Sequence, residues 1–457
     1  MSEVRVSHRQ RNRDQIIAGP VGPGLLRMAI PMVWGIMTMM LFGVVDTFFI
    51  ARLGAEPLAA IGFTFPVVFI VTGTTMGMGI GMSAAVSRAI GENNSQKIAE
   101  YTTYGLLLIV ILVATFIVAA LSLHDPIFRL LGAEEHLIPL IYQYMFPWFC
   151  GVVFLVVPMI GNSALRATGD SFTPSLIMVI AGAVNVALDP LLIFGIGPFP
   201  RLELQGAALA TVISYLVTFI AAFYILIYRE KMITFHRPVF RDVAHAWKTI
   251  LYVGLPAVGT NLLAPLATGI LTRIMASYGT TAVAAFGVGA RIESLAMVGS
   301  YAMATVMAPF AGQNMGAGRP DRVRAGLQFG LRYSMILSLT LWVALSLFSR
   351  TIAGWFTDNV EIIEILRPFL LLVPLSYGGF GFMLQTAAAF NGAHRPKYSV
   401  ILFFSRLLIF TVPLALVGSH VAGIPGVFVA MFLGNIFSGL LAWILARRHF
   451  SADRSVS

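Results

Sequence analysis

Of 457 residues, 58% are hydrophobic and only 11% are charged, and mean hydropathy is +0.85. A soluble domain carries about 25% charged residues, so this chain cannot cover itself with a water-facing surface. The formal charge of +10 would suit a nucleic-acid partner, but its distribution along the chain argues against one.

Apolar runs long enough to cross a ~30 Å hydrocarbon core recur throughout. They predict an all-α integral membrane protein with helices over 25–50, 57–87, 101–123, 136–162, 173–197 and 205–228. A second set follows over 247–276, 282–312, 325–348, 362–390, 398–418 and 424–446. The intervening connectors are too short for a soluble domain. The predicted organisation is a tail over 1–24, a first lobe over 25–228, a linker over 229–246, a second lobe over 247–446 and a tail over 447–457. The polar first 24 residues lack the apolar stretch and cleavage site of a signal peptide. The lone Cys150 reads as small apolar packing.

With the N-terminus in the cytoplasm, inner segments hold 22 of the 30 Lys and Arg residues. Arg52, Arg129, Arg201 and Arg350 fall in outer connectors and Arg367 at the outer start of helix 362–390, while Arg273, Arg291 and Arg406 lie within helices. This bias predicts both termini in the cytoplasm, so the positive charge orients the chain in its membrane.

Shifting the sequence by 225 residues brings its punctuation into register. Pro31 meets Pro256, Thr47 meets Thr272, Gly54 meets Gly279, Gly62 meets Gly287 and Gly91 meets Gly316. Further on, Gly206 answers Gly426 at a shift of 220. Two six-helix lobes must therefore enter the membrane from the same side, as a parallel pseudo-two-fold repeat. Transporters built this way commonly bind cargo between lobes and rock around it.

Glu364 lies in the first turn of 362–390, whereas Asp46, Asp189 and Glu293 place acids in the interior of predicted helices. A charge there costs a few kcal/mol, so each needs a partner, a proton or a water-filled cavity. Burial penalises the charged form, so such a group can take a proton from one side and release it to the other. Asp189 follows Asn185 by four residues, on one helix face, and precedes Pro190, which removes a backbone donor. Neither Asp46 nor Asp189 has an acidic counterpart in the second half. Glu293 either pairs structurally or takes part in coupling; Arg291, two residues away, points elsewhere.

The strings DTFFIARLG, LAAIGF, ALRATGD and NVALDPLLIFG followed by GAALAT resemble the multidrug and toxic compound extrusion (MATE) family, most of all its DinF-like branch. The resemblance implies secondary active export of amphipathic, cationic compounds by proton-coupled antiport with alternating access. It implies no cofactor beyond H+ as coupling ion, with Na+ as the alternative. By the same resemblance, Asp46, Asn162, Asn185 and Asp189 fall on a proton-coupling network in the first lobe. Helices seven and ten lack the acids of the NorM-type cation site. Phe42 stands where relatives can carry a tyrosine, and Ala207 where they carry a threonine, with Thr211 one turn on.

Met37, Met39, Phe42 and Phe65 are candidate lining for a cavity that accepts bulky organic substrates, since methionine repacks around different ligands; gap-filling is the other reading. No metal site is expected. The expected setting is the bacterial inner membrane, with the chain working as a monomer among lipids. A lipid or lipid-linked glycan flippase keeps the scaffold but would be expected to show a more cationic cavity. An enzyme is disfavoured by the scattered histidines, and an ATP-driven pump by the absence of a P-loop.

Overall fold

The computed structural model describes residues 8–450, so the outer parts of both predicted tails lie outside the described residues. The polar start of the chain is not featureless. It forms α1 (His8–Ala18), whose terminal carbonyls are capped by Arg322, which donates to Ile16 at 3.0 Å and Gly19 at 2.6 Å. Such free carbonyls need donors at every helix end.

The first half continues with α2 (Val21–Ala51), α3 (Ala55–Gly91), α4 (Ser95–Ser122), α5 (His124–Leu130), α6 (Ile138–Ala167), α7 (Phe172–Phe194) and α8 (Glu203–Tyr224). The second comprises α9 (Phe240–Ala276), α10 (Thr280–Ala296), α11 (Val298–Gly316), α12 (Pro320–Leu347), α13 (Ser349–Gly354) and α14 (Val360–Leu372). It ends with α15 (Tyr377–Gly392), α16 (Pro396–Phe404) and α17 (Val412–His449). Short α5 and α13 sit where only connectors were expected. Among the described residues, nine runs are long and apolar enough to cross a membrane, and the bent pair α10 and α11 makes a tenth. The run from Pro396 to His449 is two spans meeting at Gly423, whose backbone is non-helical. With the interrupted run from Val360 to Gly392, twelve spans result.

The repeat extends to element ends. Ala51 and Ala276, Gly91 and Gly316, Ser122 and Leu347, and Ala167 and Gly392 each close a helix 225 residues apart, and α5 and α13 start at that same spacing. Matched residues also share their physics. Gly54 and Gly279 both have positive φ, +126° and +104°, in the turn after α2 and α9, a conformation that suits glycine. Thr47 and Thr272 each donate to a carbonyl four residues back at 2.8 Å. A Cβ on Gly206 would strike the carbonyl of Leu192, and one on Gly426 the carbonyl of Gly418. These glycines let each sixth helix start against the end of the fifth.

Contacts divide the described chain into two compact units, and the division is not at the linker. One holds 8–12, Pro31–Ile90 and Asn94–Gly254; the other holds Arg13–Ile30, Gly91–Asn93 and Leu255 onward to Phe450. The segment 229–246 therefore belongs to the first unit, where Trp247 Nε1 also donates to the Tyr104 carbonyl at 2.8 Å. The chain changes unit at Pro31 and beside Pro256, the paired prolines inside α2 and α9.

Symmetry fails in continuity. Unbroken α3 corresponds to α10 and α11, which meet at 47° around Met297. Unbroken α6 corresponds to α14 and α15, separated by a 3-10 turn over Val373–Ser376 containing Pro374. Carbonyls freed there are taken up by α12: Trp342 donates to Leu371 at 2.8 Å, and Ser338 to Pro374 at 2.9 Å. Inside a membrane, irregular backbone needs partners of this kind.

Candidate functional site

Four helices of the first unit converge on the acids. Asp46 comes from α2, Tyr144 from α6, Asn185 and Asp189 from α7, and Thr211 and Tyr215 from α8. Asp189 is 0% exposed and neither carboxylate oxygen has a hydrogen-bond partner. Asp46 is half-buried, and its Oδ1 is buried and likewise unpartnered. The two carboxylates are near enough to interact electrostatically, and Tyr144 interacts with both. Among the described residues neither acid makes an ion pair.

Asn185 is fully buried and donates from Nδ2 to Thr211 Oγ1 at 3.3 Å, while Thr211 donates to the Ala207 carbonyl at 3.0 Å. The hydroxyl absent at Ala207 is thus supplied one turn later. The Asn185 Oδ1 stays unpartnered. A cluster rich in unmet acceptors can take protons, or a small cation, without breaking existing bonds.

Asn162 does not join this cluster. A Cβ on its neighbour Gly161 would come within 3.0 Å of Leu226 Cδ1. Leu226 lies fifteen residues beyond Thr211, or about 22 Å further along that helix. The resemblance gave Asn162 a place in the network, but depth along α6 separates it from the acids. Tyr144 and Tyr215 were missed in the sequence. Tyr215 carried a signal, since it follows Thr211 by four residues and so shares its face.

The cavity candidates divide. Met37 is 45% exposed, Met39 50% and Phe65 57%, and Phe42 is half-buried. Met37 and Met39 are about 200° apart around α2. Met39 and Phe42 fall on the side of Asp46. Met37 instead shares a stripe of exposed bulky residues with Ile30, Trp34, Leu41, Val44 and Phe48.

Glu293 lies in the other unit, half-buried, and interacts with Arg406. Arg291 and Arg273 are exposed on their helices. At the opposite end of α7 from Asp189, His8, Asp170 and Glu230 bring metal-capable atoms within 4.8 Å of one another. Arg229 already ion-pairs with both acids there. Thr173 donates to Asp170 from its backbone at 3.0 Å and its hydroxyl at 2.6 Å. This explains the ALRATGD string as a brace at the start of α7.

The MatE family model matches residues 31–191 and again 256–417, one copy on each repeat. The chain belongs to the MATE family of transporters. This MATE chain is 39% identical to a protein of Shewanella oneidensis described as an FAD transporter, over 96% of the chain and 97% of that relative. It is 28% identical to YoeA of Bacillus subtilis, a probable multidrug resistance protein, over 80% of each. The solved structure of the Vibrio cholerae MATE transporter VcmN in its bent form matches with TM-score 0.90 and 28% identity, covering 96% of this chain and 98% of that one. MATE members are transporters, so the chain is not an enzyme.

Proposed function

We propose that this MATE chain is a proton-coupled exporter in which Asp46 and Asp189 carry the coupling proton. One observation carries the reading: two carboxylates within electrostatic reach, with buried, unpartnered oxygens and, among the described residues, no ion pair to either. Holding both ionised without a counter-charge is costly. A proton relieves that cost, and its uptake from one side and release to the other couples the gradient to export.

The cargo is an amphipathic aromatic compound, and a flavin dinucleotide is the leading member of that class. Identity of 39% to the FAD transporter exceeds the 28% to YoeA. A cationic drug is the second reading, favoured by the acids and by Met39 and Phe42 on the side of Asp46. Sodium in place of the proton is the alternative coupling. The chain works as a monomer in the bacterial inner membrane with both termini in the cytoplasm, as its Lys and Arg distribution supports.

Flavin in the medium of cells expressing the protein tests the cargo. Export of FAD above that of cells making Asp46→Asn supports the dinucleotide. Unchanged flavin alongside export of ethidium favours the cationic drug.

A further inference from the structure

The second unit contains a basic site whose repeat-related positions in the first half, 181–186, carry no Lys or Arg. Arg406 sits in a wide π turn over Ser405–Thr411 and is half-buried among apolar helices. Such turns widen a helix and often mark functional positions. Its Nε donates to Asn435 Oδ1 at 3.1 Å, and Asn435 Nδ2 donates to Ser376 Oγ at 2.9 Å. Asn435 is 2% and Ser376 0% exposed, so this support is rigid. The guanidinium lies over the Phe380 ring, 3.6 Å from its centroid.

Stacking and the Nε bond fix the plane of the fork. Among the described residues Nη1 and Nη2 donate no hydrogen bond, and Arg406 makes no ion pair. The charged group acting on it is Glu293 from α10, beyond ion-pair distance, and Tyr301 of α11 also interacts with it. Tyr377 is 2% exposed, interacts with Glu293 and Tyr301, and leaves its buried hydroxyl without a partner. A cation held by buried groups with its paired donors free is arranged for a two-oxygen anion. A merely structural arginine would spend those donors on carbonyls, as Arg322 does on α1.

We propose that Arg406, oriented by Asn435 and Phe380, is a cargo subsite that binds a phosphate or pyrophosphate group. Its link to cargo rests on the flavin dinucleotide reading above. Acids in the first unit and a free guanidinium in the second would give one transporter groups for both a proton and an anion.

The test measures binding of inorganic pyrophosphate, FAD and riboflavin to the purified full-length protein. The variants are Arg406→Gln, Arg406→Lys and Glu293→Gln, each with its thermal midpoint recorded. FAD is expected to bind roughly tenfold or more tightly than riboflavin, the scale of charge-assisted hydrogen bonds. Arg406→Gln should bring that ratio near one and abolish pyrophosphate binding. Arg406→Lys, which keeps the charge but loses the fork, should fall between. Glu293→Gln should strengthen pyrophosphate binding. Arg406-dependent binding of pyrophosphate without FAD binding would keep the anion site and sink the flavin cargo. FAD binding indifferent to all Arg406 variants would overturn the subsite and leave the cargo reading standing. Failure of wild type to bind either would sink both.

Discussion

Asp189 of α7 lies within electrostatic reach of Asp46 of α2, and among the described residues no donor reaches the buried oxygens of either acid. On the proposed reading the two carboxylates titrate as a pair, the charge of Asp46 acting on Asp189.

Asp46→Asn and Asp189→Asn are therefore each expected to cut gradient-driven transport at least tenfold while the protein still folds. The double variant should be hardly worse than either single one, since residues acting together are not additive. Initial transport rates in proteoliposomes check this; multiplied defects would mean independent roles.

The hydroxyls around the pair should matter less than the acids. Thr211→Val removes the acceptor of the Asn185 amide and is expected to destabilise by about 1 kcal/mol. Tyr144→Phe should slow transport with little effect on the thermal midpoint, because its ring remains in place. Asn162→Ala should leave coupling unchanged, given its depth along α6. Rates and midpoints measured on the three variants separate these outcomes.

Much of this architecture is visible in the sequence because it rests on local rules. Gly54 and Gly279 mark turns with positive φ, and Pro31 and Pro256 mark the places where the chain changes unit. Asp46 and Asp189 stand out because acids in apolar runs are rare. The break at Met297 has no proline to announce it, and it depends on packing rather than local preference. Arg406 is conspicuous, but Asn435 and Phe380 are distant in sequence, so only the folded chain reveals its support. Asn162 lies at another depth of α6, unread in the sequence for a related reason: a motif match carries residue type but not depth in the membrane.

The brace at the start of α7 has a pH signature. Burial pushes the Asp170 carboxyl up, but the bonds from Thr173 and Arg229 outweigh it and hold the group below its usual range. A depressed carboxyl contributes stability above its unfolded value of about 3.9, lost as pH falls through the folded value. Asp170→Asn should therefore cost about 1–3 kcal/mol at neutral pH. The gap from wild type should close below about pH 4, as thermal unfolding across pH will show. A gap that persists in acid would contradict the assignment.

Close approach at the repeat-related glycines gives a stability prediction. Gly206→Ala and Gly426→Ala each drive a methyl into a neighbouring carbonyl, at a cost of about 1–3 kcal/mol. Gly62→Ala, whose Cβ would meet open space, should be neutral. Thermal midpoints of the three variants would reveal any departure from that order.

Protons are proposed to move through Asp46 and Asp189. The most direct measurement of this is FAD and ethidium uptake into inverted membrane vesicles, with proton and sodium gradients imposed separately on wild type and Asp46→Asn. The expected result is uptake driven by an acid interior, untouched by sodium and lost in Asp46→Asn. Uptake driven by sodium alone, or full proton-driven uptake by Asp46→Asn, would contradict it.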